Sequence, residues 1–330
     1  MQVQSIRNYS YYPSQNKLDN TKKRTPQSFG SIFADANRMN MNQYAILTML
    51  DPLFRKMKGS STRILRELSS ELAIAKLLNP NEISEVKILG SSDGSEAWGY
   101  AIAIKEAMGI RARNVNIKGI DIEPGLTDLA KTDCIVMSSV ERDYAEGKGM
   151  LSRDRSPLKG LGWNKYLTKT ERPEEFNEIL ERYPYTIYLE KDPAVNKKIG
   201  QGLEWYRINK NGLPKVEFEC ADMRNSLAPS EHTDNQIYVL ANSSGYIYQK
   251  NPDEFFTLFK KIKELNKDKK NVYVVLGSVE EFIFNNSITG MLARNTLHSI
   301  GFKNIPTIRL EKLGIAGKED ASAKIYELVK

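Results

Sequence analysis

The stretch that decides the fold runs from Val86 to Glu123: VKIL (86–89), GSSDGSE (90–96), AWGYAIAIKEAMG (97–109) and NVNIKGIDIE (114–123). VKIL reads as a short apolar strand and GSSDGSE as a tight Gly/Ser turn. AWGYAIAIKEAMG reads as a helix stopped by Gly109, because glycine enters the left-handed conformation at little cost. NVNIKGIDIE reads as a second strand ending at Asp121. Strand, turn, helix and strand in this order form a β-loop-α-β unit, which implies parallel pairing.

Downstream, VEFEC (216–220), QIYVLA (236–241), NVYVVLG (271–277) and NIPTIRL (304–310) read as further strands. Helices fit at about 252–266 and 287–300, with a last one near 320–329. This alternation predicts an α/β protein with a Rossmann-like, doubly wound sheet. Residues 140–214 break the rhythm and are too long for a simple crossover. They hold a helix pattern, PEEFNEILERY, and two strand candidates, YTIYLE and LEWYRI. The expectation is an inserted subdomain on the sheet's ligand side. Upstream, helical patterns at roughly 41–57 and 61–78, stopped by Asn79-Pro80, make residues 36–80 an N-terminal helical region. Residues 1–35 have no apolar period and read as a disordered arm before a sheet domain at 81–330.

Composition narrows the functional classes. Of the 330 residues, 40% are hydrophobic and 27% charged, the balance of a globular chain. No apolar run approaches the roughly 20 residues of a membrane span, and the first thirty residues lack a signal peptide's apolar core. A cytoplasmic location is expected. Cys134 and Cys220 lie far apart outside any CxxC pair, which argues against zinc and disulfides. His232 and His298 are the two histidines, too few for a His-rich metal centre. The net charge of +7 comes from scattered lysines, without the interleaved aromatics of a nucleic-acid groove, so no nucleic-acid partner is expected.

Ligands of open α/β sheets bind at the carboxyl ends of the strands. Four such ends carry candidate residues. After the first strand, Gly90 and Gly94 permit close backbone approach, and the next helix points its positive end at the same space. The spacing is not GxGxxG, and a plain structural turn is the alternative. Asp121 ends the second strand, where a carboxylate can accept from both hydroxyls of a ribose; with Pro124 following, it could equally cap a helix. Asp222 follows VEFEC and suits an adenine amino group or a simple turn cap. Ala241-Asn242-Ser243-Ser244-Gly245-Tyr246 follows QIYVLA, either as polar groups facing a reacting centre or as an ordinary loop.

As a series, these segments resemble the CheR-type protein carboxyl methyltransferases. GSSDGSEAWGY is similar to that family's GCSTGEEPYS-like turn and GIDIEP to its TDID-like strand end. WYRINKNGLPKVEFECADM, LANSSGYIY and LGSVE also have counterparts there, in order, across roughly 60–310. The resemblance implies a class I methyltransferase fold, S-adenosylmethionine as cofactor, and a protein substrate whose identity the sequence does not give. It implies that Gly90, Gly94 and Glu96 line the methionine part. Asp121 would hold the ribose with Ile122 beside it, and Asp222 the adenine with Met223 beside it. Asn242 would pack against the cofactor, and Tyr246 would face the methyl group and acceptor. Methyl transfer from a sulfonium to a glutamate needs no strong base, since a carboxyl of pKa about 4.3 is ionised at neutral pH. Positioning carries most of the work.

One departure matters. The family's Arg before the Asn is Ala241 here, and a TxFFR-like segment upstream is not evident. A guanidinium grips a carboxylate bidentately and an alanine cannot. Some other cation, such as Arg153, Arg155 or Lys159, must serve, or the chain methylates chemoreceptor glutamates poorly. A catalytically silent, cofactor-binding or interaction protein is therefore the alternative. A more distant one is an α/β-hydrolase, because GSSDG also fits G-x-S-x-G between a strand and a helix. Ser92 would then be the nucleophile and His298 the base, although no further sheet strands precede this strand-turn unit and no HGGG-type loop is visible.

Overall fold

A computed structural model describes Ile64 and residues 67–138, 163–183, 203–241, 243, 247, 251–277, 288–315 and 318–329. The expected arm at 1–35, the helix pattern at 41–57 and the strand candidate YTIYLE lie outside the described residues.

The chain begins with helix α1 (Leu68–Leu77) and passes through Asn79-Pro80 into β1 (Ser84–Leu89). Then follow α2 (Ser95–Met108), β2 (Val115–Asp121) and α3 (Pro124–Lys131). The next elements are β3 (Cys134–Ser138), β4 (Leu167–Thr170), α4 (Glu175–Arg182) and β5 (Leu203–Ile208). The main sheet resumes with β6 (Lys215–Cys220), β7 (Asn235–Val239), α5 (Pro252–Leu265) and β8 (Asn271–Val275). The last described elements are α6 (Ile288–Ile300), β9 (Phe302–Asn304), α7 (Thr307–Lys312), α8 (Lys318–Lys324) and β10 (Ile325–Leu328).

Seven strands form one sheet in the order β6-β2-β1-β7-β8-β10-β9. β6, β2, β1, β7 and β8 are parallel, and β10 runs antiparallel between β8 and β9. One face packs Val86, Ile88, Ile117, Ile237, Val239 and Val275 against α1 and α2. The other packs Tyr238, Leu240, Val272 and Val274 against Phe255, Leu258, Phe259 and Ile262 of α5 and Leu297 of α6. With helices on both faces, the architecture is α/β with a mostly parallel, doubly wound sheet. Among the described residues, no helix is long and apolar enough to cross a membrane.

Local sequence explains the best-defined elements. Helix α2 stops at Gly109, whose φ of +58° only glycine takes cheaply. Residues 95–104 of α2 are buried on every side, which is why AWGYAIAI has no polar face. Helix α5 starts at Asn251, whose side chain accepts from the amides of Asp253 (3.2 Å) and Glu254 (3.4 Å).

Two expected elements are corrected. NIPTIRL is not a strand: only Phe302–Asn304 pairs, and after Pro306 the chain turns into α7. Proline cannot donate to a ladder, so the strand ends before it. The expected helix over 320–329 ends at Lys324, and Ile325–Leu328 is the reversed strand β10. Its Ile325 and Tyr326 are fully buried, and β8 and β9 hydrogen-bond it from both sides.

Between α3 and β6, the strands β3, β5 and β4 form a small antiparallel sheet of their own. That sheet is joined to α2 by the Tyr166 hydroxyl, which donates to Glu106 in the last turn of α2 at 2.6 Å. Phe176 of α4 meets Trp205 of β5 edge-on, with 4.8 Å between centroids.

Polar residues on the central strands have a specific task. Between β6 and β7 the crossover over 226–234 is not helical, so its carbonyls need donors that a helix would supply internally. Lys87 of β1 reaches the carbonyls of Ser226 (3.0 Å) and Ala228, and the Tyr238 hydroxyl donates to that of Leu227. Glu85 accepts from the amide (3.1 Å) and hydroxyl (2.6 Å) of Ser230. Burial pushes the Lys87 ammonium below the usual lysine range, with Glu85 opposing the shift. A second buried cation, Lys324 at the end of α8, is clamped by Glu67 and Asp320 at 2.7 Å each and ties the start of α1 to β10. Burial lowers its pKa, but the two carboxylates win and hold it above the ordinary lysine range.

Replacing one member of such a buried pair strands the other. Lys87→Met is therefore expected to cost about 3–5 kcal/mol in urea denaturation. A loss below about 1 kcal/mol would show that the crossover does not depend on it.

Candidate functional site

The parallel registers place the ends of β6, β2, β1 and β7 on one edge of the sheet, with Leu89 opposite Ile120 and Asp121 opposite Cys220. Gly90, Asp121, Ile122 and Met223 lie on this edge.

The turn after β1 is built from backbone. The amides of Gly90 (2.8 Å) and Ser91 (3.0 Å) both donate to the carbonyl of Ile120, and Gly94 donates to that of Ser91 at 3.0 Å. Gly90 has φ +87° and Gly94 φ +80°; between them Ser92 has φ +52°, a left-handed conformation costly for a serine. Asp121 explains how Ser92 is held. Its Oδ2 accepts from the Ser92 amide at 2.7 Å, and its Oδ1 from the Glu123 amide at 2.9 Å. Burial raises the Asp121 pKa above the usual aspartate value, while the Glu123 and Ser92 amides oppose the rise. A carboxylate has about four acceptor sites, so these amides leave it capacity to accept from a ligand hydroxyl. Asp121 is not the cap of α3, whose N-cap is Glu123.

The two glycines have different roles. A Cβ on Gly90 would lie 2.7 Å from Ser243 Cβ and 3.9 Å from the Met223 methyl, so Gly90, Ser243 and Met223 meet at the strand ends. A Cβ on Gly94 would lie 2.8 Å from Phe218 Cζ and 2.9 Å from Ala130 Cβ. Gly94 thus makes room for the packing of β6 and α3 and does not face the strand ends. Glu96 is buried in the first turn of α2. Ile122, just past Asp121, is 68% exposed, an apolar side chain beside a carboxylate on the same edge.

Asp222 takes the capping option. It accepts from the Arg224 amide at 2.9 Å and from the Arg224 guanidinium, which also pairs with Glu254 at 2.6 Å. Arg224 holds the Asp222 carboxyl below the usual range. An adenine amino group would have to compete with that guanidinium.

Asn242 and Tyr246 lie outside the described residues. Ala241 is buried in the core, and Ser243 donates from Oγ to the carbonyl of Leu89 at 2.6 Å. Ser243 and Phe218 are the residues that sequence reasoning passed over. Phe218 was legible as the inward position of the alternating VEFEC, whereas nothing local marks Ser243.

The hydrolase alternative fails on geometry. Ser92 is at the carboxyl ends of the strands, but His298 is in the last turn of α6 just before β9 begins, and His232 just before β7 begins. Both histidines sit at the opposite edge, about a strand length or roughly 15 Å away. Neither can serve Ser92 as a base.

Gly94→Ala is expected to destabilise the fold by about 1–3 kcal/mol, from overpacking on Phe218 and a strained φ. Thermal unfolding alone and in combination with Phe218→Leu measures it. A variant as stable as the parent would return Gly94 to the ligand-facing role.

A scan against models of known protein families finds no match to this chain, and neither does a search of curated proteins. The chemistry of the site therefore rests on its own atoms.

Proposed function

We propose that the chain binds S-adenosylmethionine at the carboxyl edge of its sheet and acts as a class I methyltransferase, with a protein carboxylate as acceptor. The observation that carries this reading is the strand order. Numbered along the chain within the main sheet, it is 3-2-1-4-5-7-6 with the seventh strand reversed. A dinucleotide-binding Rossmann sheet runs 3-2-1-4-5-6. The extra reversed strand between the fifth and sixth departs from that order and supports the class I methyltransferase fold that the resemblance implies.

The residues at the edge suit the ligand. Asp121 keeps acceptor capacity for ribose hydroxyls, Ile122 offers an exposed apolar surface to a base, and Met223 reaches toward Gly90. When bound, the sulfonium supplies the methyl group by in-line displacement. The protein's part is to fix the nucleoside through Asp121, hold the turn at Gly90 and exclude water. No base is required for an ionised carboxylate, in keeping with histidines confined to the far edge. The roles of Asn242 and Tyr246 at the acceptor follow from the resemblance to CheR-type enzymes.

A second reading keeps the cofactor and drops the catalysis. Ala241, where that family carries an Arg, is 5% exposed and packed into the core, so no guanidinium reaches an acceptor from this position. Tritiated methyl transfer to a chemoreceptor cytoplasmic fragment, run beside a CheR-type enzyme, separates the two readings. A comparable rate would remove the silent one.

Calorimetric titration with S-adenosylhomocysteine tests the binding itself. Ribose hydroxyls donate to the ionised carboxylate, so ligand affinity should fall as pH drops through the raised pKa of Asp121. It should level off at higher pH. Asp121→Asn should abolish that dependence and weaken binding at neutral pH by about tenfold or more. Absence of binding at millimolar ligand, or an unaltered mutant, would refute the assignment.

A further inference from the structure

We propose that Ser243 is a positioning residue that sets the glycine turn by tying the loop after β7 to the end of β1; the inference rests on the cofactor-binding reading above. Parallel pairing of β1 with β7 runs from Ser84–Asn235 to Ile88–Val239 and then stops. Leu89 is thus the first residue of β1 beyond the β7 ladder, and it immediately precedes the turn. Its carbonyl accepts from Ser243 Oγ at 2.6 Å, across a sequence separation of 154 residues. The serine is itself held in a tight turn, its amide donating to the carbonyl of Leu240 at 3.2 Å.

The hydroxyl therefore extends the β1–β7 connection past the last ladder bond, with a side chain in place of backbone. Gly90 makes the approach possible: any side chain there would collide with Ser243, 2.7 Å from its Cβ. On its other side the turn is tied through Ile120 and Asp121 of β2. The turn is thus suspended between two clamps: Asp121 fixes Ser92, and Ser243 fixes the carbonyl that leads into Gly90. Ser243 also lies in the loop 241–246 that the resemblance assigns to the acceptor.

The test uses the full chain with Ser243→Ala and Ser243→Thr, which keeps the hydroxyl. Two readouts are taken well below the unfolding temperature: S-adenosylhomocysteine affinity, and hydrogen exchange of the Gly90, Ser91, Ser92 and Gly94 amides. Expected are an approximately tenfold weaker affinity and correspondingly faster exchange in Ser243→Ala. Ser243→Thr should stay close to the parent in both. Faster exchange with unchanged affinity would reduce Ser243 to a structural tie and overturn the proposal. Weaker affinity with unchanged exchange would make it a direct ligand contact and overturn it too. If the parent chain itself does not bind, the cofactor reading fails; exchange then decides the clamp alone, faster in Ser243→Ala sustaining it and unchanged ending it. Should Ser243→Ala not fold, Ser243→Cys, with similar volume and a weaker donor, replaces it under the same criteria.

Discussion

A central strand buried on both faces must satisfy whatever lies over it, and on β1 that requirement falls on Lys87. One face of β1 meets helices, whose backbone groups are already paired. The other meets the irregular crossover over 226–234, whose carbonyls at Ser226, Leu227 and Ala228 point into the molecule. Lys87, Tyr238 and Glu85 bond that segment from below. Burying an ammonium is costly, but leaving backbone carbonyls unpaired in the same place costs about 1–3 kcal/mol for each. The crossover in turn returns the chain from the edge strand β6 to β7 on the far side of β1. The ends of these strands, and hence Asp222 and Ala241, share one edge of the sheet because that return path is held.

Asp121 does at the carboxyl edge what Lys87 does in the interior. A left-handed serine costs on the order of 1–3 kcal/mol, and a charged hydrogen bond contributes about 1.5–3 kcal/mol. The carboxylate at Ser92 thus offsets the strain of the turn. On the proposed reading, one group both shapes the site and binds in it. Its raised pKa reflects that tension, because burial disfavours the charge that both tasks need.

The sequence disclosed those parts whose causes are local. Gly90, Gly94 and Gly109 punctuate the β1-turn-α2 unit, and the apolar run between them has one plausible conformation. Asp121 was legible because a strand end fixes its position. Its two amide partners were not, since they depend on how the turn closes. β10 was hidden because no turn residue separates Lys324 from Ile325; only pairing with β8 and β9 makes IYEL a strand. Pro306 was visible, but its consequence for NIPTIRL was missed. Asp222 is ambiguous in sequence because the contact that decides its role, with the Arg224 guanidinium, depends on side-chain geometry. Lys87 sits in VKIL, read simply as apolar, because its partners lie about 140 residues away and no window of sequence contains both.

The position of β10 has a consequence for biosynthesis. It pairs between β8 and β9 yet follows both in the chain, so it leaves the ribosome after every strand it joins. Until it arrives, β8 presents an unpaired edge, and β9, paired among the described residues with β10 alone, is not yet anchored to the sheet. Such an edge is a template for wrong pairing between nascent chains. Inserting the last strand covers that edge, and the same step carries Lys324 to Glu67, joining an early part of the translated chain to a late one.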